Sequence, residues 1–361
     1  MGRLIIILFW VAVSGNAMAD EGSLYITTTK TGTFAIEPQF DNVREFSEGL
    51  AAVNIDKKWG FIDRAGRIAI KPQFNENQVQ YNAHFSDGLA AISYGNKWGF
   101  IDKTGRIAIN PQFDGDYRSP PGFSDGLAVV RFGSKFGYVD KTGQAVIKPL
   151  FDSARWFSGG IAVVTTGEKQ GYIDKTARFV IQPQFNVARN FSEGLAGVKL
   201  DKKFGYIDKT GKIVIKPQFD YASDFSEGLA AVAVGNKYGY IDTTGKMVIT
   251  PQFETTMMAW PQNDFSEGLV VVQFGGVSRQ LGFSGKSGYI DKAGEMVINP
   301  QFDYATNFSE GLAAVCINGS GCGYIDKTGK IVVSLTFSEA DPFRDGLARL
   351  RVGNKYGFIY R

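Results

Sequence analysis

The sequence predicts an all-β chain built from tandem modules. Three observations carry this prediction: a phrase that recurs about every 34 residues, turn residues at fixed places within it, and no stretch with helical periodicity. A clean copy runs Lys209-Thr-Gly-Lys-Ile-Val-Ile-Lys-Pro-Gln-Phe-Asp-Tyr-Ala-Ser-Asp-Phe-Ser-Glu-Gly-Leu-Ala-Ala-Val, then Gly235-Asn-Lys-Tyr-Gly-Tyr-Ile-Asp242. Its best anchor is Gly-aromatic-Ile/Val-Asp, at Gly60, Gly99, Gly137, Gly171, Gly205, Gly239, Gly288 and Gly323, ending as Gly357-Phe-Ile-Tyr360.

Each copy reads as three strands. The first is Leu-Ala-Ala-Val. The second is Lys-aromatic-Gly-aromatic-Ile-Asp. The third is Lys/Arg-Ile-Val/Ala-Ile, expected to stop at a proline such as Pro217, which cannot donate to a ladder. Turns such as Gly95-Asn96 and Gly235-Asn236 join the first two strands, and Asp-Lys-Thr-Gly joins the second and third. Ala177 replaces the turn glycine in one copy. Phe-Ser-Glu/Asp-Gly is a tight turn into the next copy. Ile213-Val214-Ile215 is apolar on both faces, so neighbours should cover each small sheet on both sides. The 29 Phe, 15 Tyr and 5 Trp supply the filling.

The prediction is nine three-stranded antiparallel meanders, at 30–63, 64–102, 103–140, 141–174, 175–208, 209–242, 243–291, 292–326 and 327–361. Three strands and nine copies fit ordinary propellers poorly, which favours an open superhelical, solenoid-like array; the alternative is a closed propeller-like ring that pairs the two chain ends. Residues 20–29 form a short lead.

The copies resemble the bacterial WG-repeat family, also called KWG repeats. Lys58-Trp59-Gly60-Phe-Ile-Asp63 and Lys97-Trp98-Gly99-Phe-Ile-Asp102 carry the naming motif, Phe136, Phe204, Tyr238 and Tyr356 vary it, and Gln170, Ser287 and Cys322 depart from it. The resemblance implies a repeat module, often exported, with no general enzymatic activity and no catalytic residues.

Residues 1–19 read as a signal peptide. Arg3 gives a positive start, Leu4 to Val13 an apolar run, and Ala17-Met18-Ala19 a cleavage pattern, so the mature chain would begin at Asp20 in the periplasm or outside the cell. The apolar run is too short to span a bilayer, so stable membrane insertion is not expected. In an oxidising space Cys316 and Cys322, at facing ends of one hairpin, are candidates for a disulfide; two reduced thiols are the alternative.

A net charge of +3 argues against a nucleic-acid partner. Two Cys and one His, His84, give no zinc site and no catalytic triad. The repeated lysines (Lys58, Lys97, Lys135 and their equivalents) could form an anion-binding stripe, but read better as solvated residues beside equally repeated Asp. The repeated acids (Glu48, Asp87, Asp125 and equivalents) read as turn residues, since one acid per repeat builds neither a calcium loop nor a carboxylate pair. No cofactor, metal or enzymatic activity is expected.

Departures from the phrase say more. Asn75 to His84, Asp114 to Gly122 and Glu254 to Asp264 lengthen the same connection, and Gly275 to Gly285 lengthens a hairpin. Equivalent loops share one edge of an array, often its binding edge. The candidate binding residues are Met257, Met258, Trp260, Arg279, Phe283, Tyr117 and Arg118. The expected function is a non-enzymatic exported scaffold for a protein or glycan partner, alternatively a carbohydrate-binding or envelope-processing protein.

Overall fold

The computed structural model describes residues 31–79, 84–115, 120–254, 264–275, 277–278, 282–283 and 285–361. No helix occurs among them, and the strands form small antiparallel sheets in tandem. Taking each sheet as a blade, the fifth shows the plan. Its strands are Val187–Ala188, Leu195–Leu200, Lys203–Asp208 and Ile213–Phe219, hydrogen-bonded in that order.

Each regular blade thus has a fourth strand of two residues, here Val187–Ala188 pairing Lys199 and Val198. Blades two (Leu89–Asp114) and seven (Leu269–Phe302) have three strands among the described residues, and in each an insertion precedes the blade. In blade two, Gln78 of the insertion stands in, its carbonyl accepting the Ser93 N–H at 3.0 Å.

The proline does not end the third strand. That strand runs from Ile213 to Phe219 straight through Pro217. Phe204 pairs Phe219 and Tyr206 pairs Ile215, so Gly205 alone faces the three residues Lys216, Pro217 and Gln218. This is a bulge, where a missing N–H costs no ladder bond. The same bulge explains the glycine of the Trp-Gly motif. A Cβ on Gly171 would lie 2.6 Å from the Ile181 carbonyl oxygen and 2.7 Å from Pro183 N, and Gly60 and Gly288 are as tight. Space, not a left-handed backbone, excludes a side chain there.

The array closes. Phe34, Ile36 and Phe40 pair Ile359, Phe358 and Tyr356, so the strand Phe34–Phe40 completes the sheet of Glu339–Ala340, Leu347–Val352 and Lys355–Tyr360. The closed ring, and not the open superhelix, is therefore the arrangement adopted. Packing shows nine equivalent joints. The aromatic after the motif glycine stacks on the Phe of Phe-Ser-Glu/Asp-Gly in the next blade: Phe61 on Phe85, Phe100 on Phe123, Tyr138 on Phe157, and so on at centroid distances of 4.7–5.1 Å. Phe358 on Phe46, at 4.8 Å, closes the series. The buried hydroxyls of Tyr138, Tyr172, Tyr206, Tyr289 and Tyr324 also donate to the next blade, as from Tyr206 to the Ser223 carbonyl at 2.8 Å. Each apolar cluster accordingly spans two adjacent blades.

Candidate functional site

The strand directions give the ring two edges. The Phe-Ser-Glu/Asp-Gly and Asp-Lys-Thr-Gly turns share one. In the first turn Glu227 and Gly228 take φ of 52° and 86°, and Ser226 and Leu229 exchange both backbone hydrogen bonds. The Ser226 hydroxyl donates to the Phe265 carbonyl of the next blade at 2.8 Å, and the Glu227 carboxylate accepts the Gly268 N–H at 2.9 Å. Ser47, Ser86, Ser124 and Ser192 repeat the first bond, and Glu48, Asp87 and Asp125 the second. A turn lysine of the next blade completes several joints: Lys103 reaches Glu48, and Lys292 reaches Glu227, each at 3.1 Å. Burial opposes ionisation of Glu48, but the Lys103 ammonium and Gly88 N–H outweigh it and hold the carboxyl below its usual range. Glu227 and Glu267 follow the same balance. The repeated acids are thus latches between blades.

The Gly-Asn turns mark the other edge. Here the repeated lysine pairs with the Asp after Pro-Gln-Phe: Lys97 with Asp114 at 2.6 Å, Lys203 with Asp220 at 2.6 Å, and Lys286 with Asp303 at 2.7 Å. The second oxygen of Asp220 accepts the Gly235 turn N–H. Each such Asp therefore ties the lysine of one blade to the hairpin turn of the next, as Asp114 does with Gly133 and Asp152 with Gly167, and the lysines build no stripe.

All four insertions start from this second edge. Asn75, Asp114 and Glu254, where three of them begin, pair Lys58, Lys97 and Lys237 beside the hairpin turns. Phe274 and Lys286 pair each other at the base of the fourth. Met257, Met258, Trp260, Arg279, Tyr117 and Arg118 lie outside the described residues. Phe283 falls in a two-residue strand, Gly282–Phe283, paired with Val277–Ser278. Cys316 and Cys322 face each other across a hairpin on this edge and are joined by a disulfide, S–S 2.11 Å. The pair occupies the register that Lys199 and Phe204 hold in blade five. His84 is exposed.

The strongest candidate site is a cleft of about 770 Å³ between blades one and two on the second edge. The first insertion forms one wall with Asn75, Asn77 and Gln78, and the Gly95-Asn96 turn faces it. Trp59, Trp98 and Tyr94 contribute rings, and Arg44 lies over the Trp59 ring at 4.8 Å. Trp59 is 1% exposed, and its buried indole N–H has no hydrogen-bond partner in the protein. Gly115 is needed because the Trp98 ring lies where a Cβ would stand. Sequence reading found the insertion but put none of these residues among the candidate binding residues. The missed signal was local: the only two Trp-Gly motifs adjoin an Asn-rich connection, and Asn75 replaces the usual Asp. A second cleft of about 440 Å³ holds Arg131, Arg155 and the 46% exposed Trp156.

Between the two edges, blades four to eight carry a partly buried polar row, Arg155, Arg189, Asp224, Asp264 and Asn307. Burial raises Asp224 and Asp264 above the usual carboxylate range, with the arginines opposing it. No group of three potential metal ligands occurs among the described residues, and no helix there is long and apolar enough to cross a membrane.

A closed ring of repeated β blades with a cleft on one edge defines a repeat scaffold. The WG containing repeat matches nine times, at 29–59, 59–98, 98–136, 136–169, 171–204, 204–238, 238–277, 288–320 and 323–356. The chain belongs to this WG-repeat family, a family of repeat modules and not of enzymes. No curated protein matches the sequence. Among solved structures, a eukaryotic initiation factor is similar at 11% identity over 92% of this chain and 93% of that one, TM-score 0.60, a likeness of fold alone. Weaker similarities include BamB from Moraxella catarrhalis (14% identity, 79% and 97% covered, TM-score 0.46) and the WD40 domain of SCAP from fission yeast (11%, 91% and 98%, TM-score 0.44).

Proposed function

We propose that this ring is a non-catalytic binding scaffold that works outside the cytoplasm and engages a protein or glycan partner through its insertion-bearing edge. One observation supports the reading above others: all four insertions start from the edge opposite the latches. A connection there can lengthen and keep its bridge between blades, since Asp114, at the start of an insertion, still holds both Lys97 and the Gly133 N–H, and loops on a rigid frame are where binding residues concentrate. Residues 1–19, read as a signal peptide, and the Cys316–Cys322 disulfide fit an oxidising compartment.

Two experiments test this. Fractionation of the native host should place the protein in the periplasm or medium, cleaved after Ala19. Affinity capture from envelope extract should recover a partner with the full chain and lose it when 255–263 is deleted, with thermal stability unchanged. Undiminished capture by the deletion variant would refute the assignment of binding to that connection.

A further inference from the structure

We propose that the cleft between blades one and two is a binding site for a neutral oligosaccharide. This deepens the scaffold reading and rests on it. Three features carry the assignment.

The first is the donor and acceptor set. Asn42, Asn75, Asn77, Gln78 and Asn96 bring five side-chain amides to one cleft. A carboxamide offers both a donor and an acceptor, as a sugar hydroxyl does. In five of the nine repeats the residue at the position of Asn75 is an aspartate bound to lysine, as in Lys97–Asp114. In blade one Lys58 donates to the Asn75 carboxamide oxygen, and the Gln78 carboxamide oxygen accepts the Asn75 N–H at 2.8 Å. A charged group is thus replaced by a neutral one where the cleft opens.

The second is the indole. A buried N–H without a partner is left with its lost hydration uncompensated. Trp59 Nε1 is such a donor in the cleft wall, and a ligand hydroxyl or ring oxygen would satisfy it. The third is the apolar rim. Tyr94 is 43% exposed there, giving a ring for the C–H face of a pyranose. The charges also point to a neutral ligand. Arg44, over Trp59, and Glu76 are the cleft's ionisable side chains and offset each other. The volume of about 770 Å³ lies within the range of small-ligand sites.

The test uses the full chain on a printed array of neutral and acidic oligosaccharides, then calorimetry and tryptophan-fluorescence titration with the tightest neutral sugar. Wild type should bind neutral sugars and change its tryptophan emission. Trp59→Phe, which keeps a ring and removes the N–H, should weaken binding about tenfold, equivalent to about 1.4 kcal/mol. Tyr94→Ala and Asn96→Ala should weaken it at least as much, while all three variants keep their melting temperature within a few degrees. Retention of acidic sugars alone, retention of none, or neutral-sugar binding that all three substitutions leave intact would each overturn the proposal. Partner capture from envelope extract, run on the same preparations, separates the two levels. Capture that persists without sugar binding removes only the cleft assignment, and loss of both removes the scaffold reading.

Discussion

The two edges of the ring both bridge neighbouring blades, but only one of them varies in length. On the latch edge, Ser226 and Glu227 bond to the Phe265 carbonyl and Gly268 N–H of the next blade. On the insertion edge, Asp220 bonds Lys203 of one blade and the Gly235 N–H of the next. All four insertions nevertheless start from this second edge. Length therefore varies on one edge, although both edges hold neighbouring blades together.

Breaking the shared frame should have the largest effect. Gly171→Ala places a methyl against the Ile181 carbonyl and Pro183, and backbone cannot yield as a side chain tip can. More than 4 kcal/mol of destabilisation, or failure to fold, is expected in thermal or denaturant unfolding. Gly228→Ala is its control, since that Cβ meets open space and only the φ of 86° is adverse; about 1–2 kcal/mol is expected.

The sharper comparison sets edge against edge. Ser226→Ala with Glu227→Gln removes bonds between blades and should cost about 2–3 kcal/mol. Lys203→Met with Asp220→Asn removes an exposed pair and should cost less than about 1 kcal/mol. Equal melting temperatures for the two double variants would erase the distinction. Acid probes the latches too. Glu48, Glu227 and Glu267 have depressed values in the fold, so the stability they confer is complete above the ordinary glutamate range near 4.5 and lost as pH falls through the folded values. The melting temperature should fall below about pH 4.5, and less steeply in the triple Glu→Gln variant. Asp224 and Asp264 work in the other direction, since their raised values favour the fold on protonation.

Smaller effects sharpen the exceptions. The Cys316–Cys322 disulfide is a covalent staple within one hairpin on the insertion edge, and it closes a short loop. Its reduction should cost about 2 kcal/mol, read as a lower melting temperature with the ring intact by scattering. Asp224→Asn should raise the melting temperature at neutral pH by about 1–3 °C, because it removes a carboxylate whose buried Oδ1 has no partner.

Most of the blade was legible in the sequence, because strands two and three and both turn types carry chemistry that local rules read. Two misreadings have physical causes. Tyr221–Ala222 pairs as a strand, but two residues have no period to detect. Pro217 lies inside its strand because the bulge opposite Gly205 needs no N–H, a fact that only the partner strand reveals. Closure was illegible for a different reason: it depends on the angle accumulated over nine joints, and no single copy encodes that sum. The cleft was half legible. Its wall appeared as an insertion, but the convergence of Asn77, Asn96 and Trp59 is a property of two neighbouring blades.

The pairing of Phe34 with Ile359 also sets an order of events in time. The strand Phe34–Phe40 is among the first made and the last satisfied. Until the ninth blade arrives, it is an open sheet edge that invites pairing with another chain. Almost the whole sequence separates the partners, so the final step closes a very long loop and should be slow. An arrested chain lacking its last blade would be prone to join a second copy through that strand.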